Sequence, residues 1–133
     1  NFNMHRQLVP QIDQPFGAII EDLHTRGMLD NVLVVLMSEF GRTPKINTRL
    51  GRDHWPEAWS LILAGCGIKR GVVVGKTTAN GAFCEGAEYD CGHLFHTIFQ
   101  AVGIDATKTE YVNNGQPLPI AHEEHAKISE VLA

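Results

Sequence analysis

The sequence contains no run of about 18 apolar residues, so nothing in it reads as a membrane-spanning helix. It also lacks a basic tract. Apart from a small group at Arg42, Lys45, Arg49 and Arg52, its 11 Lys and Arg are scattered among 15 Asp and Glu, for a formal net charge of −4. Phosphate backbones are bound by clustered cations, which excludes nucleic acid as the main partner. Cysteine is sparse: Cys66, Cys84 and Cys91 are an odd count, which fits no complete disulfide framework. Cys84 and Cys91 can pair across a loop, but free thiols are the simpler reading, and no Cys-x-x-Cys supports a zinc knuckle. The glycines at 65, 67, 71 and 75 match neither the dinucleotide-binding nor the P-loop spacing. Ser38, Thr43, Ser60 and Thr77 have no visible His and Asp partners, so no nucleophile triad can be argued. There is no internal repeat, low-complexity tract or linker. No secretory signal is present, and the first residue is Asn1 rather than Met, so the natural start is expected to lie outside these residues.

What remains is an ordinary globular composition, 44% hydrophobic and 20% charged over 133 residues, which suits one domain or a large piece of one. From His5 to Arg26, apolar residues at Leu8, Val9, Ile12, Phe16, Ile19, Ile20 and Leu23 recur at helical steps and predict a helix with one buried stripe. Pro10 and Pro15 predict a kink or a late start, and Gly27 a C-terminal cap. The continuous apolar run Val32 to Met37 predicts a strand covered on both faces, as in a parallel sheet. Residues 38–56 form a long polar loop at its exit. Ala58 to Ala64 predicts a second buried strand, Gly71 to Gly75 a short third, and 76–88 a loop of small residues. A helix starting at Asp90 or Gly92 runs to Val102, with Gly103 ending it. Asn113-Asn114-Gly115 signals a turn, Pro117 to Ile120 an extended stretch, and Glu124 to Leu132 a short final helix. Alternating helices and buried strands imply an α/β layered sheet with flanking helices. A crossover helix joins two parallel strands, so a strand is expected before the first helix.

The chemistry gathers in the loop. Glu39, in Met37-Ser38-Glu39-Phe40-Gly41-Arg42-Thr43-Pro44, leaves a strand at its carboxyl end, where open α/β sheets bind ligands. Asp53 and His54, in Gly51-Arg52-Asp53-His54-Trp55-Pro56, precede the next strand and can converge on the same edge. Carboxylate oxygen with imidazole nitrogen suits zinc, manganese or iron, and the Arg42 and Arg52 guanidinium forks match phosphate or sulfate oxygens. Plainer alternatives stand beside each. Glu39 can cap a loop or pair with Arg42, Asp53 can be a turn residue, a lone His is more often structural, and two ligands fall short of the usual three. His93 and His96 share a helix face among apolar positions, which favours packing or surface placement. His122 and His125 fall in a flexible tail, and His5 and His24 on the flanks of the first helix.

The string Arg26-Gly27-Met28-Leu29-Asp30, the apolar strand, Glu39 to Pro44 and Gly51 to Trp55 resemble a large uncharacterised sulfatase-like family of the alkaline phosphatase superfamily. The likeness continues through Leu63-Ala64-Gly65-Cys66-Gly67-Ile68, Gly71 to Thr77 and Ala101-Val102-Gly103-Ile104-Asp105, and so covers nearly the whole chain. It implies a partial alkaline-phosphatase-like sheet, with residues 1–133 as the C-terminal portion of a larger domain. Glu39 looks like the superfamily's metal-binding Asp and His54 like its later His. Asp53 would orient His54 or bind metal, and Arg42 or Arg52 would hold the anion. Zn or Mn is the implied cofactor and a small anionic ester the substrate. Phe40 stands where the superfamily often has a His, which puts a second metal in doubt. The family's Trp-Asp-Thr-His motif would precede the stretch similar to Asn1-Phe2-Asn3.

The expectation is therefore a fragment of a metal-dependent phosphate or sulfate ester hydrolase, inactive alone. Two alternatives are a non-catalytic member binding an anionic glycan or a protein, and phosphoglycerate-mutase-like phosphotransfer. The resemblance also implies export of the parent, because members often carry a twin-arginine signal. An incomplete sheet makes a homodimer of the fragment a further expectation.

Overall fold

The computed structural model describes residues 2–133; Asn1, the first residue of the string compared above, lies outside them. Helix α1 spans Phe2–Thr25, with Pro10 and Pro15 inside it, and Gly27 follows at φ +66°, the left-handed conformation that ends helices. The periodic stripe is present but uncovered. No residue of α1 is buried, and Leu8, Ile12 and Ile19 are each close to half exposed.

The chain then makes four antiparallel strand pairs. Strand β1 (Val34–Leu36) pairs with β4 (Ile62–Ala64), and β2 (Gly41–Arg42) with β3 (His54–Trp55). Strand β5 (Lys76–Thr77) pairs with β6 (Cys84–Glu85), and β7 (Glu110–Asn113) with β8 (Gln116–Pro119). Helix α2 spans Cys91–Ala101, and a single 3₁₀ turn, Ser129–Val131, stands where a short final helix is expected from the sequence.

Mixed α and β structure is therefore correct, but the parallel pairing expected of the Val32 run is not. β1 and β4 run antiparallel because the chain between them doubles back through β2 and β3, and β1 is half-buried rather than covered on both faces. Gly71 to Gly75 is not a strand. Its glycines sit at φ +69° and +78°, and Val73 is 91% exposed, so no sheet face holds it. The 76–88 loop instead contains the β5–β6 hairpin. Asn114 and Gly115, at φ 50° and 82°, make the two-residue turn between β7 and β8, as their sequence predicts. The three cysteines are unpaired, and no described helix is long and apolar enough to cross a membrane.

The core is small. Ala58, Ala82, Leu94 and Ala106 are its buried apolar residues among those described, joined by His96 and Thr97. The accessible surface is 9877 Å², against about 6,900 Å² for a compact monomer of this mass. Much apolar surface is thus left open, along α1 and also at Leu50, Val73 and Val112.

Local polar turns carry part of the stability. Asp105 follows α2, and its carboxylate accepts from Thr107 N and Thr107 Oγ1 at 3.1 and 2.6 Å and pairs with Lys108 Nζ at 2.8 Å. The Lys108 contact, then those of Thr107, pull its carboxyl down to about 2. A carboxyl lowered on folding contributes stability above its unfolded value, about 4, and loses it as pH falls toward the folded value. Asp105→Asn should therefore flatten that limb of an acid-unfolding curve followed by circular dichroism. An unchanged limb in the variant would contradict this account.

Candidate functional site

The 38–56 loop is organised by its own polar side chains. Asn47 Oδ1 accepts from Arg49 N and Gly51 N at 2.9 and 3.0 Å, while Asn47 Nδ2 donates to Asp53 Oδ1 at 2.7 Å. Thr43 N donates to Asp53 O, and Asp53 N to Thr43 Oγ1. Arg52 Nη1 reaches back to Thr43 O and Pro44 O, both at 2.7 Å. Asp53 and Arg52 thus close the loop. Gly41 is required where β2 crosses the chain, since a Cβ there would lie 1.8 Å from Ala58 O.

Pairing of β2 with β3 sets Arg42 opposite His54. The His54 ring stacks on Phe40 at 3.8 Å between centroids and 28° between planes, and the Arg42 guanidinium lies 5.5 Å from the Phe40 centroid. Glu39 and His54 are exposed and make no side-chain hydrogen bond among the described residues. They do not join a third His, Cys, Asp or Glu in a described set close enough to share an ion. Arg42, Arg52, Phe2 and His5 line an open hollow of about 360 Å³. Arg42 commits Nη1 to one backbone carbonyl, Arg52 O at 3.4 Å, and Arg52 commits Nη1 to two, so most of the five N–H donors on each stay free for an anion. Among the sequence candidates, then, the structure brings Arg42 and Arg52 to one hollow, and His5, read only as a flank residue, joins them.

A second constellation was not legible in the sequence. Asp90 caps α2, accepting from His93 N at 3.2 Å, and His93 Nδ1 lies 2.9 Å from Asp90 Oδ1. His125, 35 residues on, places Nε2 2.8 Å from Asp90 Oδ2, and its ring stands edge-on to His93 with centroids 4.9 Å apart. Burial works to raise the Asp90 carboxyl, but the hydrogen bonds from His93 and His125 together outweigh it and hold the group well below the usual carboxylate range. His96 is a packing residue: it is 4% exposed, with Nε2 2.8 Å from His122 O. The missed signal was local, since Asp90 and His93 form a capping pair at three-residue spacing. The arrival of His125 depends on a long-range contact.

Fold and sites together define a mixed α/β chain with a cationic hollow beside a strand-exit loop. The chain belongs to the family described as "Protein of unknown function (DUF1501)", which matches residues 1–132. No curated protein and no solved structure matches it significantly.

Proposed function

We propose that this chain is part of a metal-dependent hydrolase of phosphate or sulfate esters, with Arg42 and Arg52 holding the anionic group and Glu39 and His54 serving as metal ligands. The observation that carries the reading is the hollow lined by Arg42, Arg52 and His5, three nitrogen-rich side chains facing one open space. Guanidinium forks hold tetrahedral oxyanions by paired, charge-assisted hydrogen bonds, and both arginines retain donors for this. The resemblance of the strand-exit and Gly51 to Trp55 motifs to those of sulfatase-like proteins supports the same class.

Glu39 and His54 fit a Zn or Mn site in donor chemistry and in exposure, with carboxylate oxygen and imidazole nitrogen both open to solvent. They supply two ligands, so the remainder would come from elsewhere in a longer protein. A bound divalent ion would polarise the ester oxygen and activate a nucleophile. Asp53 acts from behind: by holding Asn47 it fixes the loop that carries Arg52 and His54.

Titrating inorganic sulfate or phosphate into the chain, followed by calorimetry, tests the hollow. Arg42→Ala should weaken binding by about tenfold or more, since one charge-assisted hydrogen bond contributes about 1.5 kcal/mol or more. Equal affinity in Arg42→Ala and the wild type removes the anion site. Turnover of generic phosphate and sulfate monoesters by a longer protein, with Zn²⁺ or Mn²⁺, tests the chemistry, and Glu39→Ala and His54→Ala should each abolish it.

One observation favours a second reading. Phe40 covers a face of His54 at 3.8 Å and cannot ligate a metal where a His would, which supports a non-catalytic member that binds an anionic glycan or protein. Anion binding without turnover in the metal-supplemented longer protein would select that reading.

A further inference from the structure

We propose that Asp90, His93 and His125 form a divalent transition-metal site, suited to Zn²⁺, separate in residues from the 38–56 loop and independent of the ester-hydrolase reading. One ligand atom from each of the three lies within 4.8 Å of the others, and the set is two imidazole nitrogens and one carboxylate oxygen. Three such ligands with a fourth position open to water are the usual complement of a non-structural zinc site.

Several separate features bring His125 to this place. Gly92 leaves the first turn of α2 bare. A Cβ there would fall 2.5–2.6 Å from the ring atoms Cγ, Cδ2 and Nδ1 of His125, so only glycine admits the imidazole. The segment on either side of His125 is tied to α2. His122 O lies 2.8 Å from His96 Nε2, Lys127 Nζ donates to Gln100 Oε1 at 2.8 Å, and Ile128 N donates to the fully buried Thr97 Oγ1 at 2.8 Å. Thr97 Oγ1 in turn donates to His93 O at 2.7 Å, so one buried hydroxyl ties the His93 carbonyl to the chain three residues past His125.

His125 is also held at a cost. Its Nδ1 is buried without a hydrogen-bond partner, a penalty of a kind that folded proteins usually avoid. Asp90 is exposed and the two histidines are half-buried, so an ion can reach the cluster from solvent. Around zinc, with bonds near 2.0–2.2 Å, ligand atoms stand about 3.3 Å apart. The two contacts to Asp90, at 2.9 and 2.8 Å, need open by only roughly half an ångström to admit the ion, which would also take the place of the 3.3 Å hydrogen bond that His93 Nδ1 accepts from Asp90 N.

The test is a Zn²⁺ titration of the chain by calorimetry, in the wild type and in a Glu39→Ala/His54→Ala background. One equivalent should bind in both. His93→Ala and His125→Ala should each weaken binding on the order of 100-fold, and Gly92→Ala should do the same by displacing the ring without removing a ligand. Should a variant fail to fold, Co²⁺ added to the wild type provides a second readout: it should broaden the ring resonances of His93 and His125 and spare those of His24. No stoichiometric Zn²⁺ binding overturns the proposal. So does affinity that is lost in the Glu39→Ala/His54→Ala background or unmoved by the three site variants, or Co²⁺ broadening confined to other histidines.

Discussion

Gly65→Ala is expected to lower stability by about 3–5 kcal/mol, enough to leave much of the chain unfolded at 37 °C. Gly65 follows β4 at φ +83°, where an L side chain is strained by on the order of 1–3 kcal/mol. A Cβ there would also lie 2.2 Å from Val32 O, 2.6 Å from Leu29 O and 2.9 Å from Leu29 Cδ1. Two of these are backbone atoms that cannot swing aside, and Leu29 O already accepts from Cys66 N at 2.8 Å. Relief therefore means moving the 29–32 segment off β4, and the β1–β4 pair goes with it. Gly67→Ala is the control. Gly67 has nearly the same φ, +76°, but nothing within 4 Å of its Cβ position, so it isolates the backbone term at about 1–2 kcal/mol. Urea unfolding of the pair measures the difference. If the two variants melt alike, the close approach of Leu29 and Val32 is not what Gly65 serves.

Local signals in the sequence were legible and long-range ones were not. Gly27 after a periodic run, Asp90 ahead of Leu94 and Ile98, and Asn114-Gly115 between extended stretches each act within a few residues, and each marks the element found. The direction in which β1 and β4 pair depends on how a 25-residue excursion returns, and an apolar run reads the same for either direction. The stripe on α1 predicted burial because periodicity says which face is apolar, not what covers it. In the candidate site, the residue types at Arg42 and Arg52 pointed to an anion, and the structure places both at one hollow. The pairing of His125 with Asp90 was hidden for two reasons. The tail carries no periodic signal of its own, and the deciding residue, Gly92, acts by leaving space empty.

Leu94→Ala should cost about 2–5 kcal/mol, a large fraction of what so small a core provides. Leu94 is 4% exposed, and the other buried apolar residues are alanines, so it is the one large aliphatic side chain buried among the described residues. Its loss has a second consequence because of where it stands. It follows His93 directly on α2 and precedes Thr97 by one turn, so the helix that it anchors also carries Asp90, the capping histidine and the hydroxyl that holds Ile128. Loosening α2 should free the tail and release His125 from Asp90. That release is visible as a shift of the His125 ring resonances toward those of an exposed histidine, in the fraction that remains folded. Phe95→Ala, one position on but 53% exposed, removes a larger side chain and should cost less than about 1 kcal/mol with the His125 signals unmoved. If the two variants cost the same in urea unfolding, Leu94 does not anchor α2, and the joint placement of Asp90, His93 and His125 needs another explanation.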